Sequence, residues 1–190
     1  MKNDLLDKLE DLPEGGAIMY GETRLMLLNP EILLDFQKCM ECELGAEKVG
    51  QELFRIGRFY GKLFALQPEG ETQLGPDELV RHFARINRHM GWGRAEITAL
   101  DAKRGVLELD VFHSIFAEEY RKSDFPVCHL IRGLFAGIWQ FALGRETSGL
   151  EVRCRAVDGP GPCTFIFNAA AGEPEMMLSV TTNVLNPEDE

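Results

Sequence analysis

Three cysteines and one glutamate in the last third of the chain have the types and spacing to do chemistry: Cys128, Glu151, Cys154 and Cys163. A thiolate is a soft metal ligand, and carboxylate is an acceptable fourth ligand for zinc. Cys128 follows Pro126 closely, which places it in the first turn of an expected helix, where the terminal N–H groups and helix dipole favour a thiolate. Cys154 and Cys163 flank Asp158-Gly159-Pro160-Gly161-Pro162. A turn centred near Gly159 makes them cross-strand neighbours, with Cβ atoms about 4.5–5.5 Å apart. Glu151 precedes Cys154 by three residues, and in a regular strand the two point to opposite faces. Sharing one ion therefore requires a bulge, or a non-strand start near Gly149. His129 is the substitute ligand if Glu151 cannot reach. On residue chemistry alone three readings stand: a zinc site, buried structural cysteines, or a disulfide between Cys154 and Cys163.

Other reactive groups carry less. Cys39-Met40-Glu41-Cys42 is a C-x-x-C at a helix end, without the βαβ setting a redox motif needs. His82, His89 and His113 are isolated, the first two off their helix's apolar stripe and expected in solvent. No nucleophile elbow, P-loop or dinucleotide fingerprint occurs. Gly91-Trp92-Gly93 follows a helix and precedes a strand, the reverse of a dinucleotide site.

The 190 residues suffice for one domain with a sizeable core. A formal net charge of -11 repels phosphate backbones and anionic lipid surfaces, arguing against nucleic-acid binding and membrane association. No apolar run approaches the roughly 20 residues that span a bilayer. Met1 to Glu14 has no basic or apolar export signal, so the expected location is cytoplasmic. Five cysteines, three of them crowded late, then point to metal or thiol chemistry rather than a disulfide framework.

The positioning elements read as follows. Ala17–Tyr20 and Arg24–Leu28 form a short hairpin. Asn29-Pro30 starts a helix to about Leu44 that buries Leu33, Phe36, Met40 and Leu44. A second helix, about Ala46 to Leu66, has an apolar stripe of Val49, Leu53, Ile56, Tyr60 and Leu63. Beside it runs a line of small residues, Ala46, Gly50, Gly57, Gly61 and Ala65. Each interior glycine costs roughly 0.5–1 kcal/mol relative to alanine, so another helix must approach closely. Gly50, Gly57 and Gly61 mark either tight packing within one subunit or a homodimer face. A third helix starts at Pro76, with Leu79, Phe83, Ile86 and Met90 on its buried side. A β-hairpin turns at Asp101–Gly105. A fourth helix, capped by Ser123 or Asp124 and closed near Gly144, is apolar on all sides and central. A last hairpin pairs Leu150–Val157 with Cys163–Asn168, and Met176–Val184 reads as an edge strand or a tail. The fold class is α+β, an antiparallel sheet packed against several helices. The chain divides into an N-terminal segment (1–14), one ligand-binding domain (15–184) and an acidic tail (185–190).

Gly91-Trp92-Gly93 with its hairpin, Cys128 with Gly133 and Gly137, Glu151-x-x-Cys154, and Cys163-Thr164-Phe165 together resemble the 4-vinyl-reductase domain family. The upstream Gly50, Gly57 and Gly61 are similar to its N-terminal part, so the resemblance covers most of 15–170. It implies a fold similar to the small subunits of the TRAPP vesicle-tethering complex and to the sensor domains of aromatic-responsive activators. In those sensors zinc is held by three cysteines and a glutamate, an order matched by Cys128, Glu151, Cys154 and Cys163. The chain carries no ATPase or DNA-binding module.

Three functions follow. The first is a zinc-containing sensor or carrier domain for a hydrophobic or aromatic molecule, with Trp92, Phe112, Phe116, Phe135, Trp139 and Phe141 lining a cavity. A fully ligated zinc leaves no position for activated water, which argues against metal-assisted hydrolysis. The second is an accessory protein or reductase of tetrapyrrole metabolism, although no hydride-carrier motif is present. The third is a dimeric assembly module.

Overall fold

The computed structural model of the protein describes residues 6–11, 15–20, 23–66 and 74–170. The N-terminal segment's ends and all of 171–190, including the Met176–Val184 strand and the acidic tail, lie outside them. Among the described residues two antiparallel sheets form. A small one orders β1 (Leu9–Asp11), β2 (Ile18–Tyr20) and β3 (Thr23–Leu25), containing the expected hairpin. The larger orders β4 (Arg94–Asp101), β5 (Val106–Phe112), β7 (Cys163–Ala169) and β6 (Thr147–Arg153). Alternation in β5 sends Leu107, Leu109 and Val111 into the core, as strand periodicity requires.

Helices cover this sheet. α1 (Pro30–Leu44) is capped by the Asn29 side chain, which accepts from the Glu31 N–H. α2 spans Ala46–Ala65 and α3 Pro76–His89. The central helix, α5 (His129–Leu143), ends at left-handed Gly144 as read from sequence. Two short helices, α4 (Ile115–Tyr120) and α6 (Arg155–Asp158), have no counterpart in the sequence reading. α4 sits between two residues with positive φ, His113 (54°) and Arg121 (71°), a conformation uncommon for side chains other than glycine, asparagine and aspartate.

Two helices bury the opposite faces from those expected. α2 buries Val49, Gly50, Gly57, Gly61 and Ala65, and leaves Ile56, Phe59, Tyr60 and Phe64 exposed. The small residues win because α5 carries its own glycines opposite them. A methyl at Gly57 would lie 2.3 Å from the Leu130 carbonyl oxygen, and one at Gly137 2.1 Å from that of Arg58. Such backbone-to-backbone approach excludes every larger side chain. The Gly50, Gly57 and Gly61 face is thus taken by α5 of the same chain, which corrects its reading as a dimer face. α1 likewise turns Leu34, Gln37 and Glu41 inward while Phe36 and Leu44 stay exposed. The Glu41 carboxylate accepts from the Tyr120 hydroxyl at 2.6 Å and from Gln37 Nε2 at 2.9 Å, so this polar seam is satisfied.

A candidate metal centre

Cys128, Glu151, Cys154 and Cys163 converge, each buried, with one candidate ligand atom apiece within 4.8 Å of the others. Each arrives by a local device. Cys128 is the N-cap of α5 rather than a first-turn residue: its φ and ψ of -86° and 36° lie outside helix, which begins at His129. Glu151 is in β6, where the pairing with β7 slips between Glu151 and Arg153. That bulge turns Glu151 and Cys154 toward a common point. Cys154 leaves the ladder as N-cap of α6, its N–H bonded to Asp158 Oδ2 at 2.8 Å. It is therefore not the cross-strand partner of Cys163, which pairs with Val111 of β5. A one-turn helix after Cys154 consumes the residues a simple hairpin would have paired. The Gly/Pro loop before Cys163 is pinned by the Arg153 guanidinium, which donates to the carbonyls of Gly159 (3.1 Å), Pro160 (2.7 Å) and Pro162.

All three sulfurs are free thiols, so the disulfide reading is not taken up. Cys128 Sγ lies 3.6 Å from Cys163 Sγ and 3.2 Å from the Ser114 hydroxyl, and the Arg155 N–H donates to Cys163 Sγ at 3.3 Å. Ser114 has no sequence signal; it reaches the sulfur because α4 is folded over the site. The Cys128 N–H donates to Glu151 Oε2 at 3.2 Å, whereas Oε1 is buried and accepts nothing. Burial, then the neighbouring Cys154 charge, pushes the Glu151 carboxyl up to about 9. Burial also holds the Cys128 thiol well above its ordinary value. Hydrogen bonds from Cys128 and Cys154 push the Cys163 thiol down. Without a counter-cation, then, the protein resists ionising this set as a whole, and one carboxylate oxygen is left with no partner. A divalent cation among the four atoms removes both costs at once. Three soft sulfurs and one oxygen are a donor set suited to tetrahedral zinc.

The other sequence candidates are placed as follows. His129 is outside the cluster: its ring packs on Gly50, where a methyl would sit 2.8 Å from Nε2. Burial, then Arg132, lowers its pKa to about 4. His82 is not simply solvated, being half-buried edge-on against Phe83 with ring centroids 5.5 Å apart. Of the aromatic pocket set, only Trp92 and Phe135 meet at one cavity. It lies between α2, α3 and α5, measures about 30 Å³, and is walled by Phe64, Phe83, Ile86, Asn87, Met90, Leu134 and Ile138 as well. Phe116 and Trp139 are core, Trp139 Nε1 donating to the Gly105 carbonyl at 3.2 Å. Phe112 lies under the Arg94 guanidinium, with the cation 4.4 Å from its ring centre. Periodicity marked these rings as buried but carried no information on which ones face a void.

Residues 107–169, which contain all four cluster residues, match the model of the vinyl-4-reductase domain. Over 175 residues, 86% of the chain, the sequence is 28% identical to the phenol regulator MopR of Acinetobacter guillouiae, of which it spans only 30%. Among solved structures, the phenol-responsive sensory domain of the transcription activator PoxR with phenol superposes with a TM-score of 0.73, at 20% identity and 87% coverage of each chain. A vinyl-4-reductase family protein from Methanocaldococcus jannaschii gives 0.53, at 18% identity, over 78% of this chain and 85% of that one. The fold class is therefore the one read from sequence, an antiparallel sheet with several helices in a single small domain. Among the described residues no helix is long and apolar enough to cross a membrane.

Proposed function

We propose that this chain is a zinc-containing sensor or carrier domain that binds a small aromatic molecule in the cytoplasm, residues 15–184 forming the domain. The observation that carries the reading is that one helix serves both sites. Cys128, at the head of α5, is one of the four cluster residues, and Leu134, Phe135 and Ile138 further along it wall the apolar cavity. Zinc held by Cys128, Glu151, Cys154 and Cys163 would tie the start of α5 to β6 and β7, fixing the position of the cavity wall. Zinc in such a closed site supplies structural cross-linking. The likeness to phenol-responsive regulators supports an aromatic ligand.

A cavity of about 30 Å³ is close to the space of one water molecule, whereas drug-sized ligands occupy roughly 300–1,000 Å³. The ligand is accordingly small and enters by displacing a wall. Met90 and Phe64, both partly exposed, form the mouth. Unbranched Met90 yields most readily. Inside, Asn87 is the polar wall residue; its Nδ2 donates to the Gly93 carbonyl at 2.9 Å. Phenol is expected to raise the melting temperature and alter Trp92 fluorescence. In Trp92→Phe the emission change should vanish while a thermal shift persists; an unshifted melt in both proteins would sink the ligand site. No observation favours a tetrapyrrole, which exceeds this cavity many-fold.

A homodimer through the outer face of α2 is the second element of the proposal. Ile56, Phe59, Tyr60 and Phe64 recur at helical spacing on the surface, Phe59 at 53% exposure, with the Phe59–Tyr60 and Tyr60–Phe64 rings in contact at 5.6 and 6.2 Å. A row of contacting rings on a solvent face is a preferred interface core. Phe59→Glu should turn a dimer into a monomer by light scattering, with little change in melting behaviour of the monomer fold. An unchanged mass for both proteins would remove this face from consideration.

A further inference from the structure

We infer that the groove between α3 and the outer edge of β4 docks an extended acidic peptide, which adds beside β4 as a strand while its carboxylates meet Arg81, Arg85 and Arg88. This site is separate from the metal centre and from the apolar cavity, and does not depend on either.

The argument begins with charge. In a chain of net charge -11, α3 collects three arginines at i, i+4 and i+7, which brings them onto one side of the helix. The acids of α3, Asp77 and Glu78, sit in its first turn, where Glu78 Oε2 accepts from the Gly75 N–H at 3.2 Å. They serve the helix start and leave the arginine row uncompensated. Among the described residues no carboxylate pairs with Arg81, Arg85 or Arg88, and Arg85 reaches only His82 Nδ1 at 3.3 Å. Arg94 across the groove is different, being ion-paired to Glu96.

Shape and backbone then select the occupant. The arginines line a groove of about 860 Å³ whose opposite wall is Ala95 and Ile97 of β4. β4 is an edge strand: among the described residues it pairs with β5 alone. Its outer side carries unpaired N–H and C=O groups, the template on which an extended chain adds. A helix lying beside such an edge makes a slot for one more strand. Alternate residues of an extended chain are about 6.6 Å apart, close to the roughly 6 Å axial step from Arg81 to Arg85. A peptide with acids at alternate positions would therefore present them on one side, in step with this row. A nucleic acid would gain nothing from the strand edge, and the chain's overall negative field opposes it.

The test is fluorescence anisotropy of the full chain with a labelled octapeptide alternating glutamate and threonine. Three companions are used: the same peptide with glutamine for glutamate, a version N-methylated at alternate backbone nitrogens, and a single-stranded oligonucleotide as competitor. The glutamate peptide should bind at least about tenfold more tightly than the glutamine one, and weaken as salt shortens the roughly 10 Å screening length of 0.1 M. Arg81→Glu/Arg85→Glu should lose about the same factor with an unchanged circular dichroism spectrum. N-methylation should weaken binding comparably, because it removes main-chain donors that pure charge attraction does not use. The inference is overturned if the glutamate peptide fails to bind, if the glutamine peptide binds equally, or if N-methylation has no effect. It is equally overturned if the oligonucleotide displaces the peptide at lower concentration than unlabelled peptide does.

Discussion

Cys163→Ser should purify without zinc and unfold roughly 8–16 °C below the parent protein. The figure follows from mass action: a ligand bound only by the folded state at about 1,000 times its dissociation constant adds about 4 kcal/mol. For a domain of this size each kcal/mol moves the melting temperature by about 2–4 °C. Cys163 is the informative cysteine because its sulfur is already prepared as a thiolate. It accepts the Arg155 N–H at 3.3 Å and lies 3.6 Å from Cys128 Sγ. Serine keeps the volume and the backbone but replaces a soft donor with a hard hydroxyl, which ligates zinc poorly. Cys42→Ser, at an exposed position of α1, should change neither metal content nor melting. If Cys163→Ser retained a full complement of zinc, or melted with the parent, the four residues would be core and nothing more.

Gly57→Ala and Gly137→Ala should each destabilise the protein by about 2–3 kcal/mol, read as a shift in the denaturant midpoint at unchanged slope. The sign is the point. Replacing a glycine inside a helix by alanine ordinarily stabilises by about 1 kcal/mol. Here the new methyl would meet main-chain atoms at 2.3 Å from Gly57 and 2.1 Å from Gly137, atoms that cannot rotate away. Relief requires α2 and α5 to separate along their length, opening a seam that packs Val49 and Ala65 on one helix against the other's core face. The mirrored contacts of Gly61 with the Leu134 carbonyl (2.2 Å) and Gly133 with that of Phe54 (2.3 Å) show that both helices depend on the same closeness. A stabilising result at Gly57 would mean that the helices are further apart than described.

Those glycines also show how far the sequence could be read. Their line along α2 announced a close helix, and Gly133 and Gly137 on α5 were visible too. What periodicity could not settle was which of two candidate faces is buried. A stripe of Ile56 and Tyr60 looks more like core than a stripe of glycines, and only a partner helix with matching gaps reverses that order. The metal cluster was legible in residue identity, because sulfur-rich spacing late in an otherwise ordinary chain has few uses. Its geometry was not. The slip between Glu151 and Arg153 was required by the argument but located only in three dimensions, and the one-turn α6 after Cys154 replaced the expected cross-strand pair. Ser114, α4 and the Arg153 clamp depend on contacts between segments remote in sequence, and local patterns do not encode these. The same limit explains the aromatic residues: hydropathy places Phe116 and Trp139 inside, but cavity walls are defined by which neighbours fail to fill space.

The metal content of protein purified without added metal tests the central claim most directly. Elemental analysis should find zinc at one ion per folded chain, removed by a strong chelator only together with a large loss of thermal stability. A folded protein that holds no stoichiometric transition metal, and that melts unchanged in chelator, would contradict it.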